Sequence, residues 1–388
     1  MGEKKSFLEK LADLGGAIKR APLKIKIFLG LIVVCVAVVI GVVIAANRSL
    51  DKINYDTESV KYQEKTEKET GKTTEDEEKD EGKDEEKISG KEEAGIHNYF
   101  LAAQDSALNT VTNTDSMMIL TVDEKTNAIK LTSLMRDIDV EIPGHSNAKL
   151  NSVMSKGGIN LMYEVIALNF DIELEGYFLV NFNSFEKIVD ELGGVEITLT
   201  QKEADYLNVN NYISDPSNRN VVAGTQTMNG NQVVGYCRVR HVGNNDFERT
   251  QRQRNVLSAI YAKFKDKGLT KILGLADEVF PYLKTDLTKD EIIGLATDIV
   301  TKGLGKSIGQ LRLPVDGGYT DGWLTGGSSL YLDFDKNNKI LHSFIFDGAY
   351  YDEDGNEISE KEAEKNYKAA AHQSEKKKDS EDDSDTED

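Results

Sequence analysis

Ile27 to Ala46 reads IFLGLIVVCVAVVIGVVIAA, twenty consecutive residues without a charge. As a helix this run is about 30 Å long, the thickness of the hydrocarbon core of a bilayer. A chain carrying it is expected to be held at a membrane, and the rest must fold on one side or the other. Lys19, Arg20, Lys24 and Lys26 stand just before the run, whereas Arg48 and Lys52 follow it with Asp51 between them. This bias predicts that residues 1–26 are cytoplasmic and that everything after the span is extracellular. A cleaved signal peptide is the rival reading, with Ala45-Ala46-Asn47 as a weak cleavage site, but its apolar region would be shorter.

Charge divides the remainder. The 388 residues carry a formal charge of −20. Residues 1–26 are net +4, 47–95 net −7, 351–388 net −9 and 96–350 net −8. Segments 47–95 and 351–388 have too few apolar residues to bury a core, so they read as an acidic disordered stalk and tail. A charged helix over 357–371 is the one regular element the tail suggests. That leaves 96–350 as the folded extracellular domain. The acidic balance and the lack of a helix-turn-helix pattern argue against a nucleic-acid partner. Two cysteines, one of them (Cys35) inside the apolar run, exclude a disulfide scaffold and a Cys-based zinc site.

Within 96–350, SMMILTV (116–122) and AIKLTSL (128–134) have the character of strands joined by the turn 123–127. Ile159, Met162, Val165 and Ile166 recur at helical spacing, as do Phe185, Ile188, Val189 and Leu192 before a Gly193-Gly194 stop. YFLVN (177–181), VEITL (195–199), LRLPV (311–315) and LHSFIF (341–346) predict further strands, and 229–236, 246–265 and 289–302 further helices. This alternation points to the α/β class, a sandwich around one sheet. The apolar stretches Leu161–Leu168 and Phe178–Phe185 suit ordinary core packing or the lining of a lipid tunnel.

The richest chemistry lies in 236–254, YCRVRHVGNNDFERTQRQR. Arg238 and Arg240, read as part of a strand, would share a face. After a short turn, Asp246, Arg249 and Gln253 fall at spacings of three and four, on one helix face near the helix N-terminus. Two Arg facing an Arg and a Gln make a site for a doubly charged anion such as a pyrophosphate, because the planar guanidinium pairs bidentately with phosphate oxygens. An Asp among them makes sense when a divalent cation bridges it to the phosphate. The bland alternative is a solvated helix face with an i,i+3 ion pair. Arg136-Asp137 ends an apolar strand, where sheet ligands bind. Lys149 follows the Pro143-Gly144 turn, and Asp115 precedes the first strand as a turn residue or metal ligand.

The order Asn113-Thr114-Asp115-Ser116, Ser133-Leu134-Met135-Arg136-Asp137, Lys149-Leu150-Asn151, Val189-Asp190-Glu191-Leu192-Gly193-Gly194, Met228-Asn229-Gly230, Arg238-Val239-Arg240 and Asp246-Phe247-Glu248-Arg249 through Gln253 resembles the LytR-CpsA-Psr family over roughly residues 96–315. The resemblance implies an α-β-α sandwich with a central mixed sheet and an apolar interior that holds a polyprenyl chain. It implies a phosphotransferase at the outer face of a Gram-positive-type envelope. Such an enzyme moves an anionic glycopolymer (teichoic acid, capsule or another wall polysaccharide) from an undecaprenyl-pyrophosphate carrier to peptidoglycan through a phosphodiester. Carried over by position, Arg136, Lys149, Arg238, Arg240, Arg249 and Gln253 bind the pyrophosphate, and Asp115 and Asp246 hold Mg2+ or Mn2+. Asp137 joins Arg136, Arg238, Arg240 and Arg249 as a catalytic candidate. Two positions depart from the family pattern: Asn113 stands where an Arg is usual, and Met135 where a Pro is. A non-catalytic polyprenyl-phosphate-binding protein and a lipid pyrophosphate hydrolase are the competing functions.

Overall fold

The computed structural model describes residues 48–70, 88–104, 108, 112–243, 245–265, 279–302, 308–324, 327–352, 355–359, 361–363 and 365. The chain divides into two units, Met1–Asp51 and Lys52–Asp388. The expected membrane span, Ile27–Ala46, lies outside the described residues. Among those described, no helix is long and apolar enough to cross a membrane.

The second unit opens with strand β1 (Asn54–Tyr55) and helix α1 (Val60–Thr70). Strands β2 (Ile96–Gln104), β3 (Ser116–Asp123) and β4 (Ala128–Leu134) follow, then a small ribbon of β5 (Asp139–Val140) and β6 (Ala148–Lys149). Helix α2 (Val153–Phe170), strand β7 (Gly176–Asn181) and helix α3 (Phe182–Glu191) lead to β8 (Val195–Leu199), α4 (Gln201–Val209), β9 (Gly224–Met228) and α5 (Gly230–Arg238). The long helix α6 (Asn245–Lys265) precedes β10 (Lys284–Thr285), α7 (Lys289–Thr301) and β11 (Ile308–Leu313). A hairpin of β12 (Tyr319–Leu324) and β13 (Gly327–Leu332), helix α8 (Phe334–Phe346) and the short pair β14 (Tyr350–Tyr351) and β15 (Glu357–Ile358) follow.

Seven strands form one mixed sheet in the order β1-β10-β7-β2-β3-β4-β11. The expected hairpin lies within it, as the fifth and sixth strands. β3 and β4 pair antiparallel, and the Asp123 carboxylate accepts the backbone N–H groups of Lys125 and Thr126 at 2.9 and 3.0 Å to close the turn. On one face, Phe100, Met117, Ile119 and Leu134 pack against Met162, Val165 and Ile166 of α2 and Leu341, Phe344 and Ile345 of α8. The other face carries α6, through the hydrogen bonds of Gln251 and Arg254 to Gln310 and Ser133, and α7, whose Ile292 and Leu295 pack with Tyr99, Val122 and Leu287. The result is helices on both sides of one sheet, as the alternation of elements predicted. Leu161, Met162, Val165 and Ile166, with Phe178 and Phe185, serve three separate packed clusters, as core packing requires, whereas Leu168 is exposed.

Four expectations are corrected. LHSFIF is the end of helix α8 and not a strand: Leu341, Phe344 and Ile345 recur at helical spacing, and the Asp333 side chain caps the helix by accepting the Lys336 N–H at 3.1 Å. A short apolar run fits either period, and its distance from a cap decides. VEITL is a strand, yet it leaves the main sheet and pairs with β9 over a second core of Val195, Leu199, Leu207 and Val233. Part of the acidic stalk is folded: β1 pairs parallel with β10 at the sheet edge, and α1 follows. The charged helix expected over 357–371 begins later: Glu357–Ile358 pairs antiparallel with Tyr350–Tyr351, and residues 361–363 and 365 are helical.

Candidate active site

The chemistry collects where β4, β6, the start of β3 and the first turn of α6 meet. Arg136 and Asp137 lie in the turn just past β4, while Met135 sits in the main core, 3% exposed. A methionine fills that apolar space without the backbone restraint of a proline. Asp115 directly precedes β3, with its N–H donating to Ala103 O at 2.9 Å. Asp246 is in the first turn of α6 and Arg249 one turn on, as their spacing predicted.

Three arginines converge on two aspartates. Arg136 Nε lies 3.2 Å from Asp246 Oδ2 and 3.3 Å from Asp137 Oδ2, and its Nη1 is 3.5 Å from Asp115 Oδ1. Arg240 Nε lies 3.3 Å from Asp246 Oδ1, and its Nη2 is 3.9 Å from Asp115 Oδ1. Arg249 Nε is 3.2 Å from Asp246 Oδ1, and the Arg249 side chain is 4% exposed. Lys149 Nζ donates to Asp137 Oδ1 at 2.8 Å. Four cations against three carboxylates leave the cluster formally one unit positive, a balance that favours an anionic ligand.

Burial sets the electrostatics. It pulls the Arg249 guanidinium down to about 10, with Asp246 opposing and the Arg136 and Arg240 charges adding to the fall. Arg249 is still a cation at neutral pH. Burial alone would raise the Asp137 carboxyl, but the Lys149 hydrogen bond and the Arg136 charge overcome it and hold that carboxyl below its usual value. Asp246 Oδ1 and Arg249 Nε are shielded from water, yet neither has an aligned hydrogen-bond partner. Their 3.2 Å contact is thus a charge contact with unused bonding capacity, which a buried polar pair rarely keeps without a ligand to use it.

Two predicted residues take other places. Arg238 is the last residue of α5, with Val239 as the extended cap, so it does not share a strand face with Arg240. Its exposed guanidinium lies over the Phe182 ring, 5.2 Å from the centroid, and joins none of the cluster's ion pairs among the described residues. Gln253 accepts a hydrogen bond from Ser116 Oγ at 3.0 Å and donates to Cys237 O at 3.4 Å, tying α6 to β3 and α5. Asn113 is exposed beside the buried Thr114.

Sequence reasoning missed Arg252 and Arg254, which lie on other faces of α6. Arg252 is buried and donates to Glu203 Oε1 at 2.8 Å, Val239 O at 3.1 Å and Val242 O at 2.8 Å, which holds the loop carrying Arg240. Arg254 donates to Ser133 Oγ at 2.8 Å and to Gln310 Oε1 at 3.2 Å, pinning α6 to β4 and β11. The run Gln251-Arg252-Gln253-Arg254 was the available signal, because consecutive polar residues on a helix that must pack cannot all face water.

The LytR_cpsA_psr family model matches residues 58–342. The regulatory protein MsrR of Staphylococcus aureus is 28% identical over 62% of this chain and 72% of its own length. The polyisoprenyl-teichoic acid–peptidoglycan teichoic acid transferase TagT of Bacillus subtilis is 30% identical over 51% of this chain and 60% of its own. Among solved structures, TagT bound to LI-WTA aligns with a TM-score of 0.53 at 26% identity, over 65% of this chain and 91% of that one. TagT has also been solved with bound octaprenyl pyrophosphate lipid, and aligns at 0.50 with the same identity and coverage. The matched span takes in β2 through most of α8, and with it every residue of the carboxylate–arginine cluster: this chain belongs to the LytR-CpsA-Psr family.

Proposed function

We propose that this protein is a membrane-anchored phosphotransferase that moves an anionic glycopolymer from an undecaprenyl-pyrophosphate carrier to peptidoglycan at the outer face of the cell membrane. The observation that carries the reading is the convergence of Arg136, Arg240 and Arg249 on Asp115 and Asp246 beside Lys149. Phosphoryl transfer runs on positioning and charge stabilisation, and this cluster supplies both. The transferase name of TagT and the lipid pyrophosphate seen in TagT support the same class of substrate.

Arg136, Arg240 and Arg249 are set to grip the diphosphate oxygens and to stabilise the charge left on the departing lipid phosphate. Lys149 adds a fourth cation from the other side. Arg238, on the exposed end of α5, serves the outer part of the anionic donor. Both oxygens of Asp137 are engaged by Lys149 and Arg136, which suits it to hold those cations in place. Asp115 is 34% exposed with only long contacts, so it is the carboxylate placed to orient the incoming sugar hydroxyl.

A divalent cation, Mg2+ or Mn2+, fits the donor set. Among the described residues there is no group of three or more His, Cys, Asp or Glu that could cage a metal. Asp115 and Asp246 would be its two protein ligands, in keeping with an ion that retains waters and binds phosphate oxygens, and Asp246 Oδ1 has the free capacity. When bound, the ion supplies further neutralisation of the pyrophosphate charge.

The test is a transfer assay on the full chain in detergent, with a lipid-pyrophosphate-linked disaccharide, oligomeric peptidoglycan and Mg2+, read by mass spectrometry. The expected product is peptidoglycan with a new phosphodiester, absent with Arg136→Ala of unchanged circular dichroism. Released sugar phosphate without an adduct identifies a hydrolase, and tight lipid binding without turnover identifies a binding protein.

A further inference from the structure

A cavity of about 420 Å³ lies next to the cluster and takes no part in it. Its lining includes Asp139, Glu141, Asn147, Asn338, Tyr331 and Phe334. Two strands carry it away from the anion site. Asp139 follows Asp137 by two residues and is the cross-strand partner of Lys149, so the two side chains share a face of the β5–β6 ribbon. On the other wall, Leu330 N donates to Asp137 O at 2.8 Å, and Tyr331 is the next residue. A molecule in the cavity would thus lie beside whatever the arginines hold.

The lining states what that molecule must be. Asp139 Oδ1 and Asn338 Oδ1 are shielded from water and accept no hydrogen bond. Both are acceptors, so the missing partner brings donors. Asp139 and Glu141 are acidic and no cation stands among the described lining residues, which repels a polyanion. Tyr331 and Phe334 add aromatic rings. Tyr331 is held over Gly322, where any Cβ would meet its ring at 1.6 Å, and its hydroxyl donates to Trp323 O at 3.2 Å. Hydroxyl donors on a ring with apolar faces and no negative charge describe a neutral sugar.

Resting on the transferase reading above, we propose that this cavity is a subsite for a neutral saccharide unit next to the transferred phosphate. Two sources share that chemistry: the acceptor glycan strand and the first sugars of the donor.

Saturation-transfer NMR on the full chain in detergent separates them. The probes are a soluble undecorated peptidoglycan tetrasaccharide, a short-chain polyprenyl-pyrophosphate disaccharide and inorganic pyrophosphate. The expected result is that Asn338→Leu and Tyr331→Ala, with unchanged circular dichroism, each weaken one of the two saccharides about tenfold and leave pyrophosphate binding as it was. Arg136→Ala should weaken inorganic pyrophosphate and the pyrophosphate-bearing disaccharide and leave the tetrasaccharide as it was. Loss of the tetrasaccharide assigns the cavity to the acceptor, and loss confined to the disaccharide assigns it to the donor. Saccharide binding that is absent in the wild type, or indifferent to both cavity variants, overturns the proposal. Because binding is read directly, a failure of turnover counts against the transferase reading, whereas saccharide binding indifferent to the cavity variants counts against this one.

Discussion

Arg249 shows how much a single burial decides. Its side chain is 4% exposed, and its guanidinium meets Asp246 while Arg136 and Arg240 press on it from the same cluster. Only a delocalised, weakly hydrated cation tolerates such a place, so Lys is not a conservative replacement. Arg249→Lys is expected to lower the transfer rate on the order of 10²-fold while the far-UV circular dichroism stays the same; a variant within threefold of wild type would show that charge alone suffices. Away from the site, His97 Nδ1 lies 2.8 Å from Glu175 Oε1, and that hydrogen bond raises the imidazole above 6.5, with burial opposing and the Glu175 and Glu124 charges assisting. A raised folded value means that the pair stabilises the fold fully below pH 6.5 and that this contribution is lost as pH rises through the folded value. NMR titration should place His97 above 6.5, and Glu175→Gln should bring it down.

Helix α6 is the element on which the site is built. Its face of Asp246, Arg249 and Gln253 was legible because spacings of three and four need no tertiary knowledge. Its other polar faces were not, because Arg252 and Arg254 find partners in α4, the 239–242 loop and the sheet, and nothing in a local window names those partners. The strand assigned to Arg238 and Arg240 failed for a related reason: α5 continues two residues past its apolar pattern and ends on a cation, a placement that complements the helix dipole. Arg252 acts as a positioning residue for Arg240. Arg252→Lys keeps a charge near Glu203 but loses the fork that also holds Val239 O and Val242 O. Its kcat should fall on the order of 10²-fold with KM for the lipid donor little changed. A fall in KM affinity alone would instead mark Arg252 as part of the binding surface.

At the scale of the whole molecule, the folded unit begins well before composition suggested. β1 extends the sheet, the Tyr177 hydroxyl donates to Asp56 at 2.5 Å, and Ser59 Oγ donates at 2.7 Å to Asp286, a buried carboxylate that also accepts from Tyr163 at 2.6 Å. Charged residues hid this segment, since edge strands and exposed helices carry few apolar side chains and look like linker. A chain starting at Ile96 is therefore expected to be less stable in urea than one starting at Lys52, by about 3 kcal/mol, as Asp286 and Tyr177 lose partners. Equal midpoints would return residues 52–70 to the stalk.

What the sequence determined by itself is local or compositional: a twenty-residue apolar run, the hairpin 116–134, the helices α2, α3, α5, α6 and α7, and the residue types of an anion site. Period and charge are properties of neighbouring residues, so a window of a dozen positions contains them. What only the tertiary structure decided is which of those residues meet. Asp115, Arg136, Lys149, Arg240 and Asp246 come from separate segments and converge because sheet order and register bring the ends of β4 and β6 to the start of α6. The same packing turned Arg238 outward, put Gln253 to work as a tie, drew residues 54–70 into the fold and opened the cavity beside Asp137. Such pairings depend on closing loops of tens to hundreds of residues in one register, and no local pattern encodes that choice.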